Sequence, residues 1–283
     1  MSTFLTSDGL ALHRLEGPPP QPPLRGTLLL VHGLGEHAGR YAHVMASLAS
    51  QGWALVAYDQ RGHGRSPGPR GGIPANDSLL ADLGAVISQT RQQHPGPLLL
   101  LGHSMGGLVA GRFVAEGLAP QPAPWWQAVD GLVMSSPALD PGMNLAQQWL
   151  LAVAAPLAPD VALGNGLKPA WVSRDPAVVQ AYVADPLVHD RVTPRLARFI
   201  VDAGQRVLQA APRWRLPTLL LYAGADRCVA PRGSAAFAAA APASVLQHRC
   251  YPGLAHEIFN EPEKAQVLAD LTEWLCARWP ASA

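Results

Sequence analysis

The segment Leu98-Leu-Leu-Leu-Gly-His-Ser-Met-Gly-Gly-Leu108 decides the fold of this chain. Its first four residues form an apolar run typical of a buried strand, and a helical pattern follows Met105. Between them lies the motif G-x-S-x-G, in which Gly102 and Gly106 flank Ser104. A serine raised on a tight strand-to-helix turn needs neighbours without bulk, which glycines provide. The segment therefore predicts a strand–turn–helix unit with Ser104 above the edge of a sheet.

Further apolar runs alternate with helical patterns along the chain. Strands are predicted at 27–32, 53–58, 97–101, 131–135, 218–222 and 245–251. Helices are predicted at 42–51 and 77–94, and a closing helix has the apolar stripe Leu268, Leu271, Trp274 and Leu275. Buried strands separated by helices are typical of a parallel sheet with both faces covered. The predicted fold class is therefore α/β, with a mostly parallel, twisted sheet flanked by helices.

One long segment interrupts this alternation. From Pro141 to about Ala211 the sequence shows helical pieces broken by prolines and no strand pattern. About 70 residues are too many for a simple crossover and are better explained as an insertion. We therefore predict a first part of the core at 1–140, an inserted helical cap at 141–211 and a second part of the core at 212–283.

Composition and charge exclude several classes of protein. Charged residues make up 14% of the chain and the formal net charge is +1. Binding to nucleic acid needs a surplus of Lys and Arg, so we expect no nucleic-acid partner. The 48% of apolar residues can form a large core. No signal peptide and no membrane-spanning stretch are predicted, which favours a cytoplasmic protein.

The cysteines and histidines show no metal-binding spacing. Cys228, Cys250 and Cys276 are too few and too scattered for a disulfide framework. We expect reduced thiols, no metal site and no cofactor.

A serine hydroxyl is a weak nucleophile that needs a base, and the base needs a third group to hold it. In a fold of this type the chain order is serine, acid, histidine. Downstream of Ser104 the candidate bases are His189 in the predicted cap, His248 inside the last strand and His256 in the loop after it. The position of His256, just past the end of a strand, favours it as the base.

The candidate acid is Asp226, in the loop that follows the strand at 218–222. Catalytic groups collect at the carboxyl ends of parallel strands. Asp140 and Asp202, near the edges of the cap, are the weaker alternatives. Acyl chemistry also needs N–H donors for the developing oxyanion. Met105 follows the nucleophile and offers one, and the loop after the first core strand offers a second, which we assign to Leu34.

Several motifs together resemble the monoacylglycerol lipase and lysophospholipase branch of the α/β-hydrolase superfamily, which includes serine aminopeptidase-like hydrolases. The specific motifs are His32-Gly-Leu-Gly-Glu-His-Ala-Gly-Arg-Tyr41, Tyr58-Asp-Gln-Arg-Gly-His-Gly-Arg-Ser66 and Gly102-His-Ser-Met-Gly-Gly107. The resemblance continues through Trp171-Val-Ser-Arg-Asp-Pro176, Asp185-Pro-Leu187, Ala223-Gly-Ala-Asp226 and Leu254-Ala-His-Glu257. It implies a triad of Ser104, Asp226 and His256, oxyanion amides at Leu34 and Met105, and a helical cap that forms an acyl pocket.

The chain departs from these lipases at Leu34, where they usually have a small residue, and in the segment after Asp226. Both departures affect the expected acyl-length preference and not the triad. Among the other polar residues, Arg61 and His63 are interpreted as holding loops around the site. His103 is expected to point away from Ser104, and Cys228 is interpreted as a buried, inert thiol.

The functional hypothesis is a serine hydrolase that cleaves carboxylic esters of single-chain lipids, a monoacylglycerol or a lysophospholipid, through a Ser104 acyl-enzyme. An amidase of the aminopeptidase type, an acyltransferase on the same scaffold and a non-catalytic binding module are the alternatives. The stretch 145–163 has a single charged residue, Asp160. It could line an acyl channel, touch a membrane surface transiently or pack against the core. The oligomeric state is left open.

Overall fold

The computed structural model describes residues 3–280. The strands are β1 (Thr3–Leu5), β2 (Ala11–Glu16), β3 (Gly26–Val31), β4 (Trp53–Tyr58), β5 (Leu98–His103), β6 (Gly131–Ser135), β7 (Leu163–Gly164), β8 (Arg191–Val192), β9 (Thr218–Ala223) and β10 (Leu246–Tyr251). The helices are α1 (Ala42–Ala49), α2 (Ser78–Gln93), α3 (Met105–Glu116), α4 (Leu145–Leu157), α5 (Pro176–Ala184), α6 (Pro194–Ala210), α7 (Pro231–Ala240) and α8 (Lys264–Arg278).

Eight strands form one sheet in the order β1-β2-β4-β3-β5-β6-β9-β10. The six strands from β4 to β10 run parallel, and the hairpin β1–β2 adds antiparallel pairing at one edge. Each strand predicted from the sequence lies within two residues of an observed one. The expected class, a mostly parallel sheet flanked by helices, is confirmed.

Helices cover both faces of the sheet. Helices α1 and α8 bury their apolar stripes against one face, and α2, α3, α6 and α7 do so against the other. Strands β3, β5 and β6 therefore carry apolar side chains on both faces, and almost all of these side chains are fully buried. The hydrophobic effect of this burial is the main stabilising contribution to the fold.

The turn between β5 and α3 depends on close packing at glycine. Ser104 has φ 54° and ψ −119°, a backbone conformation that is strained for a residue with a side chain. Helix α3 approaches β3 so closely that a Cβ atom on Gly106 would lie 2.0 Å from the carbonyl oxygen of Val31. The glycines of the motif therefore allow α3 to press against the sheet and hold Ser104 above its edge.

The segment predicted as a cap contains α4, α5 and a short antiparallel ribbon of β7 and β8. The ribbon corrects the expectation that this segment lacks strands, because two-residue strands carry no recognisable alternation. The final helix of the segment, α6, packs into the main core: its residues Leu196, Phe199, Ile200, Ala203 and Val207 are buried. Over residues 3–280, no helix is long and apolar enough to cross a membrane.

The packing at Gly106 generates a stability prediction. Gly106→Ala should lower the free energy of unfolding by about 1–3 kcal/mol, because its methyl group overlaps the carbonyl oxygens of Val31 and His32. Gly253→Ala is the matched control, since nothing lies within 4 Å of a Cβ at that position. Urea unfolding followed by circular dichroism gives both values, and equal stabilities of the two variants would contradict this account of the turn.

Candidate active site

The three side chains predicted as a triad come together at the carboxyl edge of the sheet. Ser104 directly follows β5, Asp226 lies in the loop after β9 and His256 in the loop after β10. The Ser104 hydroxyl lies 2.8 Å from Nε2 of His256, and Nδ1 of His256 lies 2.6 Å from Oδ2 of Asp226. A continuous chain of hydrogen bonds therefore links hydroxyl, imidazole and carboxylate.

His256 is buried, and its environment changes its basicity. Burial by itself lowers the pKa of a histidine, but the charge of Asp226 and the hydrogen bond to it act in the opposite direction. The net result is a His256 pKa above its ordinary value of 6.5. The imidazole is therefore a stronger base than a free histidine.

Asp226 is itself held in place by its own loop. Its Oδ1 accepts hydrogen bonds from the backbone N–H groups of Cys228 and Val229, at 2.8 Å and 3.0 Å. The other oxygen, Oδ2, is thereby directed at His256. This arrangement fixes the orientation of the imidazole, which is the task of the third member of a triad.

The alternative acids and bases lie elsewhere. Asp140 pairs with Arg232 and Asp202 with Arg198. His248 is exposed on β10, and His189 lines a cavity beside the site, where burial lowers its pKa to about 4. Within residues 3–280, none of these four side chains forms a hydrogen bond with Ser104, whose hydroxyl pairs with His256.

His103 and Cys228, which lie beside the site, have pKa values shifted from those of free side chains. The His103 ring packs 4.8 Å from the His256 ring, between centroids, and its Nδ1 contacts the Ser135 hydroxyl at 3.0 Å. Burial, and then the nearby His256, lower the pKa of His103 to about 3, so it is neutral. Burial also raises the pKa of the Cys228 thiol, which therefore stays protonated.

The loop after β3 places Leu34 beside Ser104. His32 accepts a hydrogen bond from the Gln60 N–H at Nε2, so its Nδ1 carries the proton and donates to the Gly33 carbonyl at 2.8 Å. In a trans peptide the C=O and N–H groups point in opposite directions. Fixing the Gly33 carbonyl therefore also fixes the direction of the Leu34 N–H. Met105 begins α3, so its N–H has no partner within the helix.

A cluster of charged residues beneath this loop was not predicted from the sequence. Glu36 accepts hydrogen bonds from the Gly33 N–H and from Arg40, at 2.6 Å and 2.8 Å. Arg40 also donates two hydrogen bonds to Glu257, the residue after His256, at 2.6 Å and 2.7 Å. The only sequence signal was that these charged residues lie inside or next to the motifs.

The cap segment contacts the same loop. The His37 imidazole lies 2.8 Å from Asp185, and the His189 N–H donates to the Gly35 carbonyl at 2.8 Å. The Glu257 N–H donates to the Val172 carbonyl, also at 2.8 Å. These contacts join residues 172–189 to the loops that carry Leu34 and His256.

Two cavities meet at Ser104. The larger, about 500 Å³, lies beneath α4 and is lined by apolar side chains such as Leu150, Leu151 and Ile200. The smaller, about 410 Å³, is more polar and reaches Tyr182 and Asp190. Both are lined by Leu34, Ser104, Asn165, Leu167 and Cys228. An extended substrate could therefore place one end in each cavity with its reacting bond at Ser104.

Among residues 3–280, the one group of three or more potential metal ligands within reach of one another is Asp226, Cys228 and His256, whose ligand atoms lie within 4.8 Å. It shares Asp226 and His256 with the predicted triad. Because Asp226 and His256 direct their facing atoms at each other, this geometry suits a shared proton.

Helix α4 covers the larger cavity and exposes a second apolar surface. Leu151 is its one buried residue. Leu145, Trp149 and Leu157 are 82%, 69% and 78% exposed. Packing against the core therefore accounts for only part of this stretch.

The chain is similar to a known family and to known proteins over most of its length. Residues 22–263 match the family described as serine aminopeptidase, S33. A monoacylglycerol lipase from Mycolicibacterium smegmatis is 37% identical over 255 residues, which cover 89% of this chain and 88% of the relative. A phospholipase from Bacillus subtilis is 29% identical over 245 residues, 85% of this chain and 91% of the relative.

A solved structure shows the same architecture. The crystal structure of a monoacylglycerol lipase from Paleococcus ferrophilus superposes with a TM-score of 0.81 at 34% identity, covering 94% of this chain and 98% of that one. These similarities place the chain among carboxylic ester hydrolases with the α/β-hydrolase fold. The chain belongs to the serine aminopeptidase S33 family.

Proposed function

We propose that this protein hydrolyses carboxylic esters of single-chain lipids, and that Ser104 forms the acyl-enzyme. The observation that carries the proposal is the hydrogen-bonded chain from Ser104 through His256 to Asp226. An ordinary surface serine has no base aligned with its hydroxyl, and a surface histidine has no buried carboxylate behind it. This arrangement has both.

In the first half of the reaction His256 removes the Ser104 proton as Oγ attacks the ester carbonyl carbon. The carbonyl oxygen becomes an oxyanion, for which the N–H groups of Leu34 and Met105 are the proposed donors. Collapse of this intermediate breaks the bond to the alcohol, which leaves with the proton from His256. Water, activated by His256, then attacks the acyl-enzyme, and the products are a fatty acid and free Ser104.

The two cavities support a single-chain lipid as the substrate. The apolar cavity beneath α4 suits an acyl chain, and the more polar one suits the alcohol portion. The relatives named as a monoacylglycerol lipase and a phospholipase leave both a monoacylglycerol and a lysophospholipid as candidates.

The alternatives fit less well. An aminopeptidase needs free carboxylates to hold the substrate ammonium group, yet each carboxylate that lines the smaller cavity is paired. Glu36 and Glu257 pair with Arg40, Asp185 with His37 and Asp190 with Arg191. An acyltransferase would share the acyl-enzyme and differ only in the acceptor that attacks it. A non-catalytic binding module has no need for the alignment of Ser104 with His256.

We also propose that residues 141–211 act as a cap, within which α4 and α5 form the part outside the core. The exposed apolar side chains of α4 lie on the helix that roofs the proposed acyl cavity. We propose a lipid surface as the partner of these exposed side chains, because an amphipathic helix at a membrane buries its apolar face at the boundary between headgroups and acyl chains. Transient contact of α4 with a membrane would bring the cavity close to its substrate.

The role of Ser104 is tested by covalent labelling and turnover. Ser104→Ala should abolish labelling by a fluorophosphonate probe and lower kcat for a monoacylglycerol by about 10⁴-fold or more, because no other group can form the acyl-enzyme. Ser50→Ala, at the exposed end of α1, is the control and should label like the wild type. Undiminished labelling of Ser104→Ala would rule out the proposal.

The pH dependence follows from His256. Only the neutral imidazole can accept the Ser104 proton, so activity is lost as the pH falls through the raised His256 pKa. The acid limb of kcat/KM should therefore have its midpoint above pH 6.5. Asp226→Asn should move this midpoint to lower pH and reduce kcat by about 10⁴-fold.

Asp202→Asn, which alters one of the alternative acids, is the control for this profile. It should leave both the midpoint of the acid limb and kcat unchanged. An acid limb well below pH 6.5 in the wild type, or one that Asp226→Asn leaves in place, would contradict the assignment of His256 and Asp226.

Membrane contact is tested by flotation with lipid vesicles. Trp149→Ser combined with Leu157→Ser should reduce the vesicle-bound fraction about 10-fold or more, because each side chain contributes up to about 1.5–3 kcal/mol when buried in lipid. Neither residue lines the proposed acyl cavity. Leu24→Ser, on an exposed leucine before β3, is the control. If the wild-type protein does not float with the vesicles, the proposed contact of α4 with a membrane is wrong.

A further inference from the structure

We propose that Glu36 is a positioning residue for the oxyanion loop and that Arg40 couples this loop to the loop of His256. The inference rests on the function proposed above and assigns a role to buried charges that the triad mechanism does not use. Glu36, Arg40 and Glu257 form a cluster of paired charges, which we call the charge bridge.

The first half of the charge bridge holds the oxyanion loop. Glu36 is 3% exposed, and its Oε1 accepts hydrogen bonds from the Gly33 N–H at 2.6 Å and from the Tyr41 hydroxyl at 2.7 Å. His32 holds the carbonyl of the same Gly33. Gly33 is therefore fixed on both sides by side chains. The next N–H group along the chain, that of Leu34, is the one proposed to meet the oxyanion.

The position of Gly33 leaves no room for the loop to relax. A Cβ atom there would lie 2.8 Å from Oε1 of Glu36 and 3.1 Å from Cβ of Ser104. The loop is thus packed between the carboxylate and the nucleophile. A small movement of Glu36 would be transmitted to the distance between the Leu34 N–H and the substrate oxygen, and catalysis is sensitive to about 1 Å.

The second half of the charge bridge reaches the base. Arg40 contacts Glu36 with one nitrogen and Glu257 with two, and both partners are buried. Glu257 is bonded covalently to His256. The guanidinium therefore joins two loops that come from β3 and β10, on which the oxyanion donor and the base must be aligned with each other.

The charge bridge also carries net negative charge toward His256. Two carboxylates face one guanidinium, so about one negative charge is left uncompensated. The groups that act on the charge of His256 are, beyond Asp226, the carboxylates Glu257 and Glu36, with neutral His103 packed against its ring. Around Glu36 the charged and titratable groups are Arg40, His103, His32 and Tyr41. Asp226, Glu257 and Glu36 all favour the imidazolium that forms during the reaction.

The cap shields this cluster from water. The Tyr182 ring of α5 stacks on the Arg40 guanidinium, with 4.7 Å between Cζ and the ring centroid. Tyr182 also lines the smaller cavity. A buried ion pair interacts more strongly when water is excluded. The contact between Tyr182 of the cap and Arg40 thus contributes to the alignment of the oxyanion loop with the loop of His256.

The test replaces Glu36 by its neutral isostere. In Glu36→Gln the side chain can still accept from the Gly33 N–H but loses its charge toward Arg40 and His256. We expect kcat to fall about 10- to 100-fold with KM changed less than about 3-fold, because the loop that positions the oxyanion donor loosens. The midpoint of the acid limb of kcat/KM should move to lower pH, which a purely structural role would not cause.

The chain offers a matched control in Glu116. It pairs with Arg112, four residues away on α3, at 2.7 Å and accepts the Ala123 N–H at 3.0 Å, the same pattern at the far end of the helix from Ser104. Glu116→Gln should leave kcat and the acid limb unchanged. If Glu36→Gln does not fold, Glu257→Gln tests the other end of the charge bridge. The same two changes are expected there: a lower kcat and an acid limb at lower pH.

A folded Glu36→Gln variant with wild-type kcat and an unmoved acid limb would overturn the inference. Fluorophosphonate labelling of the wild type is measured first, because a protein that does not label at Ser104 fails the proposed function and not the charge bridge. In a labelling enzyme, a slower labelling rate of Glu36→Gln, in proportion to its kcat, is the supporting result.

Discussion

The site depends on one backbone constraint, the strained conformation of Ser104 at the end of β5. Such a conformation costs about 1–3 kcal/mol and persists only where the surroundings determine it. Here the surroundings are the close approach of α3 to β3 at Gly106 and the hydrogen bond from the Ser104 N–H to the Ser135 carbonyl. The hydroxyl is thereby raised to the level of the loops that follow β9 and β10, which carry Asp226 and His256.

Those loops have no regular structure of their own, so side chains determine their positions. Asp226 is held by two backbone N–H groups. The loop of His256 is held by the buried carboxylate of Glu261, which accepts the Ala255 N–H and also the Ser173 hydroxyl of the cap segment. The hydrogen bond from Ser173 to Glu261 and the stacking of Tyr182 on Arg40 join residues 173–182 to the loops on both sides of Ser104. Satisfied buried polar networks of this kind specify one arrangement, because an unpaired member would be costly.

Much of this could be predicted from the sequence, and the limits have physical causes. The central strands were predictable because residues buried on both faces form continuous apolar runs. The meeting of Ser104, Asp226 and His256 was predictable because each lies just past the end of a strand, although the last strand, β10, is mostly exposed. The packing of α6 on the core and the exposure of α4 could not be predicted, because apolar composition does not reveal which face of a helix packs against the rest of the protein. Glu36 and Arg40 lie inside the motif 32–41. Their role was missed because the sequence does not distinguish a charged residue that is paired inside the protein from a solvated one.

The central claim is that ester cleavage passes through an acyl group on Ser104. The most direct measurement is to mix the protein with an excess of a p-nitrophenyl ester, quench in acid within the first turnover and record the mass of the intact protein and of its peptides. The account predicts a mass increase of one acyl group on the peptide that contains Ser104, with one equivalent of p-nitrophenol released in the burst. An acyl group mapped to another residue would contradict it.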